Sequence, residues 1–276
     1  MLRIDAHQHF WKYNAQRDGW ISDEMSLIRR DFMPEDLQPL LVENEMDGCV
    51  VVQSDQSEIE NMFHLESAAK HDFIKGVVGW VDLTAGDIAE RLHGLSQFKH
   101  LKGFRNVLQA EPGEFMLKPE FMQGISALQQ TRFTYDLLIL PNQLSFAKHL
   151  VAAFPDQRFV IDHMAKPYIR DRKVDDWKKD MGELAQYDNV WCKASGMVTE
   201  ADWKEWKNQD FTPYLDVIFE LFGPKRVLFG SDWPVCLVAA SYSQVVEILA
   251  EYMAGFSVSE QIDFWGGNAS KFYNLI

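Results

Sequence analysis

The chain has 276 residues, 47% of them hydrophobic, and a formal charge of −14. That length suits one α/β barrel of about 250 residues, with enough apolar side chains for a large core. The negative balance argues against a nucleic-acid surface or an anionic membrane as partner, because both call for clustered lysine and arginine.

Cys49, Cys192 and Cys236 are few and far apart, so buried reduced thiols in a cytoplasmic protein are expected. No basic-then-apolar leader and no apolar run of membrane-spanning length stands out. The opening stretch, Leu2 to Trp11, reads as a strand ending in His7-Gln8-His9. Side chains two apart on a strand share a face, so the imidazoles project together and suit a divalent ion such as zinc. Lys12 to Phe32 reads as an irregular loop with a short helix, the kind of connection that helps build a site beyond a strand's C-terminal end.

Pro34, with Glu35 and Asp36 in the first turn, starts a helix that Gly48 ends. Cys49 to Gln53 is a buried strand, and helical spacing follows over Ser57–His71. The next elements are a strand at Ile74–Val81, a helix at Ile88–Leu95 and a short strand at Leu101–Arg105. Phe115–Gln130, Pro141–Phe154, Val174–Ala185 and Thr212–Phe222 read as helices. Phe133–Leu138, Arg158–His163, Val190–Ser195 and Arg226–Asp232 alternate with them as strands. Helices at Tyr242–Met253 and Ser259–Asn274 close the chain. Eight strands alternating with helices predict a parallel sheet, and no Gly-rich phosphate turn follows the first strand. A closed (β/α)8 TIM-like barrel, one domain over residues 1–276, is therefore expected.

In such barrels the site lies where the strands end. The sequence puts His7, His9, Gln53, Trp80, Arg105, Asp136, His163, Ser195 and Asp232 there. Three imidazoles and one carboxylate, those of His7, His9, His163 and Asp232, suit one zinc-like ion and a water. Each group also has a structural reading: His163 as a strand cap, Asp232 as a turn carboxylate, Arg105 and Asp136 as an ion pair. Lys166 and Lys193 read as structural. Trp11, Trp20, Trp80 and Trp233 read as packing, although aromatic faces near strand ends also suit a sugar or lactone ring.

Several motifs carry a family likeness: His7-Gln8-His9 with Phe10-Trp11, Ile161-Asp162-His163-Met164-Ala165-Lys166-Pro167, Lys193-Ala194-Ser195-Gly196, Gly230-Ser231-Asp232-Trp233-Pro234 and Gly267-Asn268-Ala269. Together they resemble the amidohydrolase superfamily, and within it the amidohydrolase 2 branch, which holds sugar lactonases and aromatic-pathway lactonases. The resemblance spans nearly the whole chain, in the family's order. It implies a distorted barrel and hydrolysis by metal- or base-activated water. Binuclear members carry a carboxylated lysine on the fourth strand and histidines on the fifth and sixth. Here the fourth strand ends in Arg105, with Lys102 near its start, and the fifth offers Tyr135 and Asp136. At most one divalent metal is expected, zinc foremost, and some lactonases of the branch work without tightly held metal.

The expected activity is ring opening of a small lactone, a sugar aldonolactone first. Asp232 is the expected base, with His163 catalytic beside it, and His7, His9, His163 and Asp232 are the metal ligands. Arg105 is the expected substrate-binding cation, with Gln53, Trp80 and Trp233 recognising hydroxyls or stacking. A metal-dependent, non-oxidative decarboxylase of aromatic acids is the rival, since it would use a similar set. A nuclease conflicts with the charge, and a barrel that only binds has little use for a base beside a metal site. The expected partner is the small-molecule lactone, with no nucleic acid and no membrane; self-association into a homo-oligomer is left open.

Overall fold

The computed structural model describes residues 2–275. Its strands are β1 (Ile4–Gln8), β2 (Gly48–Val52), β3 (Ile74–Gly79), β4 (Leu101–Asn106), β5 (Thr134–Leu137), β6 (Phe159–Ile161), β7 (Val190–Ala194) and β8 (Val227–Phe229). They lie in sequence order, and each pairs in parallel with the next. The circle closes just beyond β8. Asp232 N donates to His7 O at 2.8 Å, and His9 N donates to Trp233 O at 2.7 Å. The fold is a (β/α)8 barrel whose closing seam is the segment that carries Asp232.

Outside lie α1 (Pro34–Glu43), α2 (Glu58–Lys70), α3 (Ile88–Leu95), α4 (Pro119–Gln129), α5 (Leu144–Ala153), α6 (Asp175–Ala185), the short α7 (Met197–Glu200), α8 (Asn208–Phe222), α9 (Tyr242–Met253), α10 (Val258–Ile262) and α11 (Asn268–Tyr273). Local chemistry sets several starts. Pro34 occupies the first turn of α1, the Ser57 hydroxyl accepts from Ile59 N, and Ser241 and Ser257 form capping boxes with Gln244 and Glu260.

The continuous helix expected over Phe115–Gln130 is broken. Pro119 holds Lys118 in an extended conformation, so a 3-10 turn at Gly113–Leu117 precedes α4. The last helix is also divided, by a wide turn at Asp263–Gly267. There Gly266 lies against the start of the chain, where an added Cβ would come within 1.9 Å of Leu2 O.

Along β1 and β2 the pairing runs from Asp5↔Cys49 to Gln8↔Val51, so β1 carries one residue more than its partner. Such a bulge reverses the in-out alternation. Ile4 and Ala6 pack inside with Val50, Val52, Val78, Val160 and Leu228. Asp5 turns outward to the Ser231 hydroxyl (2.6 Å) and the Tyr242 hydroxyl of α9 (3.2 Å). Beyond the bulge His7 faces the interior. Ala269, Phe272 and Tyr273 of α11 join the inner cluster and plug the N-terminal mouth, where Lys102 Nζ donates to Asn274 O at 3.0 Å. All three cysteines are buried and unpaired. Among the described residues no helix is long and apolar enough to cross a membrane.

Candidate metal centre and active site

β6 stops at Ile161, two residues short of the expected strand end, and the chain then turns sharply. His163, Met164, Ala165 and Lys166 all adopt left-handed backbone angles, with φ between 52° and 57°. Each costs about 1–2 kcal/mol in a residue with a Cβ, so such a run persists only where its surroundings hold it. Here Lys166 N donates to His163 O at 2.7 Å and Trp177 Nε1 donates to Met164 O at 2.8 Å. The turn delivers His163 to the C-terminal mouth. Its Nδ1 lies 2.9 Å from Ser195 Oγ at the end of β7.

The next residue, Gly196, has φ +62°, and an added Cβ would lie 2.6 Å from His163 Nδ1. Gly196→Ala is therefore expected to combine backbone strain of about 1–3 kcal/mol with displacement of the imidazole. Thermal unfolding and turnover should both fall, and a variant normal in both would show that the ring tolerates the shift.

The three imidazoles surround one carboxylate oxygen. Asp232 Oδ1 lies 3.4 Å from His9 Nε2, 3.8 Å from His163 Nε2 and 3.9 Å from His7 Nε2. His9 Nδ1 is 2.8 Å from Val52 O, an acceptor only, so Nδ1 carries a proton and the ring is aimed with Nε2 toward Asp232. Burial pushes His163 down to about 4, against the pull of Asp232 and Asp162, and it also lowers His7 well below the ordinary imidazole value. For Asp232 burial acts the other way, but His163, the His9 hydrogen bond and His7 hold the carboxyl below its usual range. Lowered imidazole pKa values at His7 and His163, beside an ionised carboxylate, suit a metal-ligand set, whose histidines bind as neutral rings.

Beneath this centre lies a buried ionic layer. Lys193 Nζ donates to Asp136 Oδ2 at 2.6 Å and stands 2.9 Å from Asp162 Oδ1 and 3.0 Å from His7 Nδ1. The Tyr273 hydroxyl donates to the same Asp136 oxygen at 2.7 Å. Arg105 NH1 lies 3.2 Å from Asp162 Oδ2 and 3.3 Å from His7 Nε2, while NH2 bonds the carbonyl and side-chain oxygens of Gln53. Arg105 Nε has no protein acceptor. Burial raises Asp136 to about 6 despite Lys193. At Asp162 burial is outweighed by Lys193, His7 and Arg105, which hold its carboxyl well below the ordinary value.

A pocket of about 400 Å³ opens above His9, Arg105, His163 and Asp232. Trp11, Trp20, Met25 and Trp203 line it, as do Lys166 and Glu200. Three expected substrate-binding residues lie elsewhere. Gln53 is fully buried and holds Arg105. Trp80 borders a separate cavity of about 110 Å³, with its backbone clamped by the Asn61 amide at 2.7 and 2.8 Å. Trp233 is 1% exposed and packs edge-on against Phe10 and Phe32. Trp233 stands next to Asp232 in sequence, but its ring turns into the protein body, and Trp80 faces a different cavity. Trp11, Trp20 and Trp203 supply the pocket's aromatic surface instead.

The pattern that defines the amidohydrolase family matches residues 4–275. The chain belongs to the amidohydrolase family. It is 37% identical over 286 aligned positions to a Burkholderia multivorans protein named L-fucono-1,5-lactonase, covering 99% of this chain and 96% of that one. A Burkholderia ambifaria protein of the same name is 34% identical over 285 positions, with the same coverage. A crystal structure of an amidohydrolase from Burkholderia multivorans with bound zinc superposes with a TM-score of 0.97, at 37% identity over 100% of both chains.

This amidohydrolase has a donor set that fits one divalent ion. Ligand atoms about 2.0–2.1 Å from a tetrahedral zinc lie roughly 3.3–3.4 Å apart, and Asp232 Oδ1 keeps 3.4–3.9 Å from three imidazole nitrogens without bonding them closely. His7, His9 and Asp232 form one compact group of ligand atoms; His7, Asp162 and His163 form a second. The second is served by protein cations, since Lys193 and Arg105 already meet the two Asp162 oxygens. Asp162 and the ionic role of Lys193 escaped the sequence reading, although both lie within the family motifs. Their signal is a charged residue at the end of an otherwise apolar strand, a position that demands a buried partner.

Proposed function

We propose that this chain, acting as a single domain, hydrolyses the ring ester of a sugar aldonolactone. The observation that supports it most is one ionised carboxylate, Asp232, set among three imidazoles under a pocket of lactone size. The relatives named L-fucono-1,5-lactonase support the substrate class. His7, His9, His163 and Asp232 would hold a zinc ion, His7 with its Nδ1 proton directed to Asp162. When bound, the ion polarises the carbonyl and acidifies water.

Asp232 takes a proton from the attacking water as the new C–O bond forms. The ring C–O bond then breaks, and Asp232 returns that proton to the departing ring oxygen, leaving the open-chain hydroxy acid. Neutral His163, held by Ser195, orients toward the same point. Arg105, fixed by Gln53 and Asp162, keeps a positive charge beneath the carbonyl oxygen. Trp11 and Trp20 offer faces to the apolar side of the sugar ring.

A panel of aldonolactones with a pH indicator tests the reading: proton release from at least one member is expected. Absence of release from all of them, with carbon dioxide released from aromatic acids, would transfer the site to decarboxylation. Calorimetric titration with zinc is expected to give one site per chain and none in His9→Ala. Equal binding in that variant would remove His9 from the ligand set.

A further inference from the structure

One pair in the pocket wall has no part in that reaction. Lys166 ends the left-handed turn that carries His163, and Glu200 ends α7, which begins beside the same imidazole at Gly196. Two unusual backbone turns thus bring a cation and a carboxylate into the cavity together with the reacting groups. Lys166 Nζ and Glu200 Oε1 are 3.6 Å apart, beyond hydrogen-bond length, and the side chains are 22% and 26% exposed. The ammonium keeps its donors and the carboxylate its lone pairs. Trp11, Trp20, Met25 and Val235 give the same cavity apolar surface, and outside the reacting groups Lys166 and Glu200 are the charged side chains of its wall.

We infer that Lys166 and Glu200 form a subsite for adjacent hydroxyls of a polyhydroxylated substrate, one hydroxyl accepting from the ammonium and its neighbour donating to the carboxylate. The subsite takes its substrate from the lactone reading, but its existence rests on the pair itself. A staple that merely holds α7 against the turn would need attraction between the two charges and nothing more.

Lys166→Met, Glu200→Gln and the exchanged pair K166E/E200K separate these roles. Turnover of the best aldonolactone is compared with that of δ-valerolactone, which has no hydroxyl, and binding of the matching open-chain aldonate is measured by calorimetry. Each single variant is expected to lower the ratio of the two kcat/KM values by roughly 10- to 100-fold, chiefly through KM. Aldonate affinity should fall by a similar factor, and the exchanged pair should not restore either quantity. Unchanged ratio and affinity in both single variants, recovery in the exchanged pair, or a wild type that binds no aldonate would each overturn the subsite. A wild type that binds aldonate but opens no lactone, with binding weakened in the variants, would leave the subsite standing and remove the proposed reaction.

Discussion

Asp232→Asn is expected to lower kcat/KM for an aldonolactone by about 10²–10⁴-fold while the unfolding temperature stays near that of the wild type. The amide keeps the shape of the carboxylate but cannot accept the proton of the attacking water. Asparagine is also among the residues that tolerate left-handed backbone angles, and Asp232 has φ +59°. The turn is anchored through main-chain groups that the substitution leaves alone: Asp232 N bonds His7 O at 2.8 Å, and Cys236 N bonds Asp232 O at 2.9 Å. Because Asp232 is proposed both as base and as ligand, zinc content is measured beside turnover. A zinc-loaded D232N protein with near-normal kcat would remove Asp232 as the base.

Lys193→Met should have the largest effect on stability. It would leave Asp136 and Asp162 facing each other without the ammonium that touches both, in a layer where both carboxylates are fully buried. Breaking one partner out of a buried ionic group costs about 3–5 kcal/mol, or a fall in Tm of roughly 10 °C for a domain of this size. The sign of the pH dependence follows from Asp162, whose folded pKa is depressed. Its contribution is present above the unfolded carboxylate value of about 4 and is lost as pH falls toward the folded value. K193M should reduce that acid-side loss. The double variant K193M/D136N should recover part of the Tm by removing one stranded charge. A Tm unchanged in K193M would show that the carboxylates simply take up protons.

Much of this molecule is legible in one dimension. The eight apolar runs lie close to where the strands lie, because a strand buried on both faces between helices and interior must be continuously apolar. Ionisable residues at the ends of those runs have no place in such a strand body, so they mark the mouth. Other features are illegible for equally physical reasons. The side chain of Trp233 turns away from the pocket because the Phe10–Phe32 cluster receives it, and Trp80, its backbone clamped by Asn61, borders a different cavity. Lys166 reads as an ordinary residue before a proline, yet a left-handed run of four residues puts it in the pocket.

The amino-acid sequence alone determined the alternation of strands and helices, and which chemical groups stand where each strand ends, since periodicity and burial act on neighbouring residues. Which way those groups point was decided only in three dimensions. The bulge after Asp5 turns His7 inward, the left-handed turn aims His163, and the seam from β8 to β1 sets Asp232 against both. The turn and the seam depend on left-handed backbone angles that no local preference favours, and the bulge on pairing with β2, all held only by packing from distant parts of the chain.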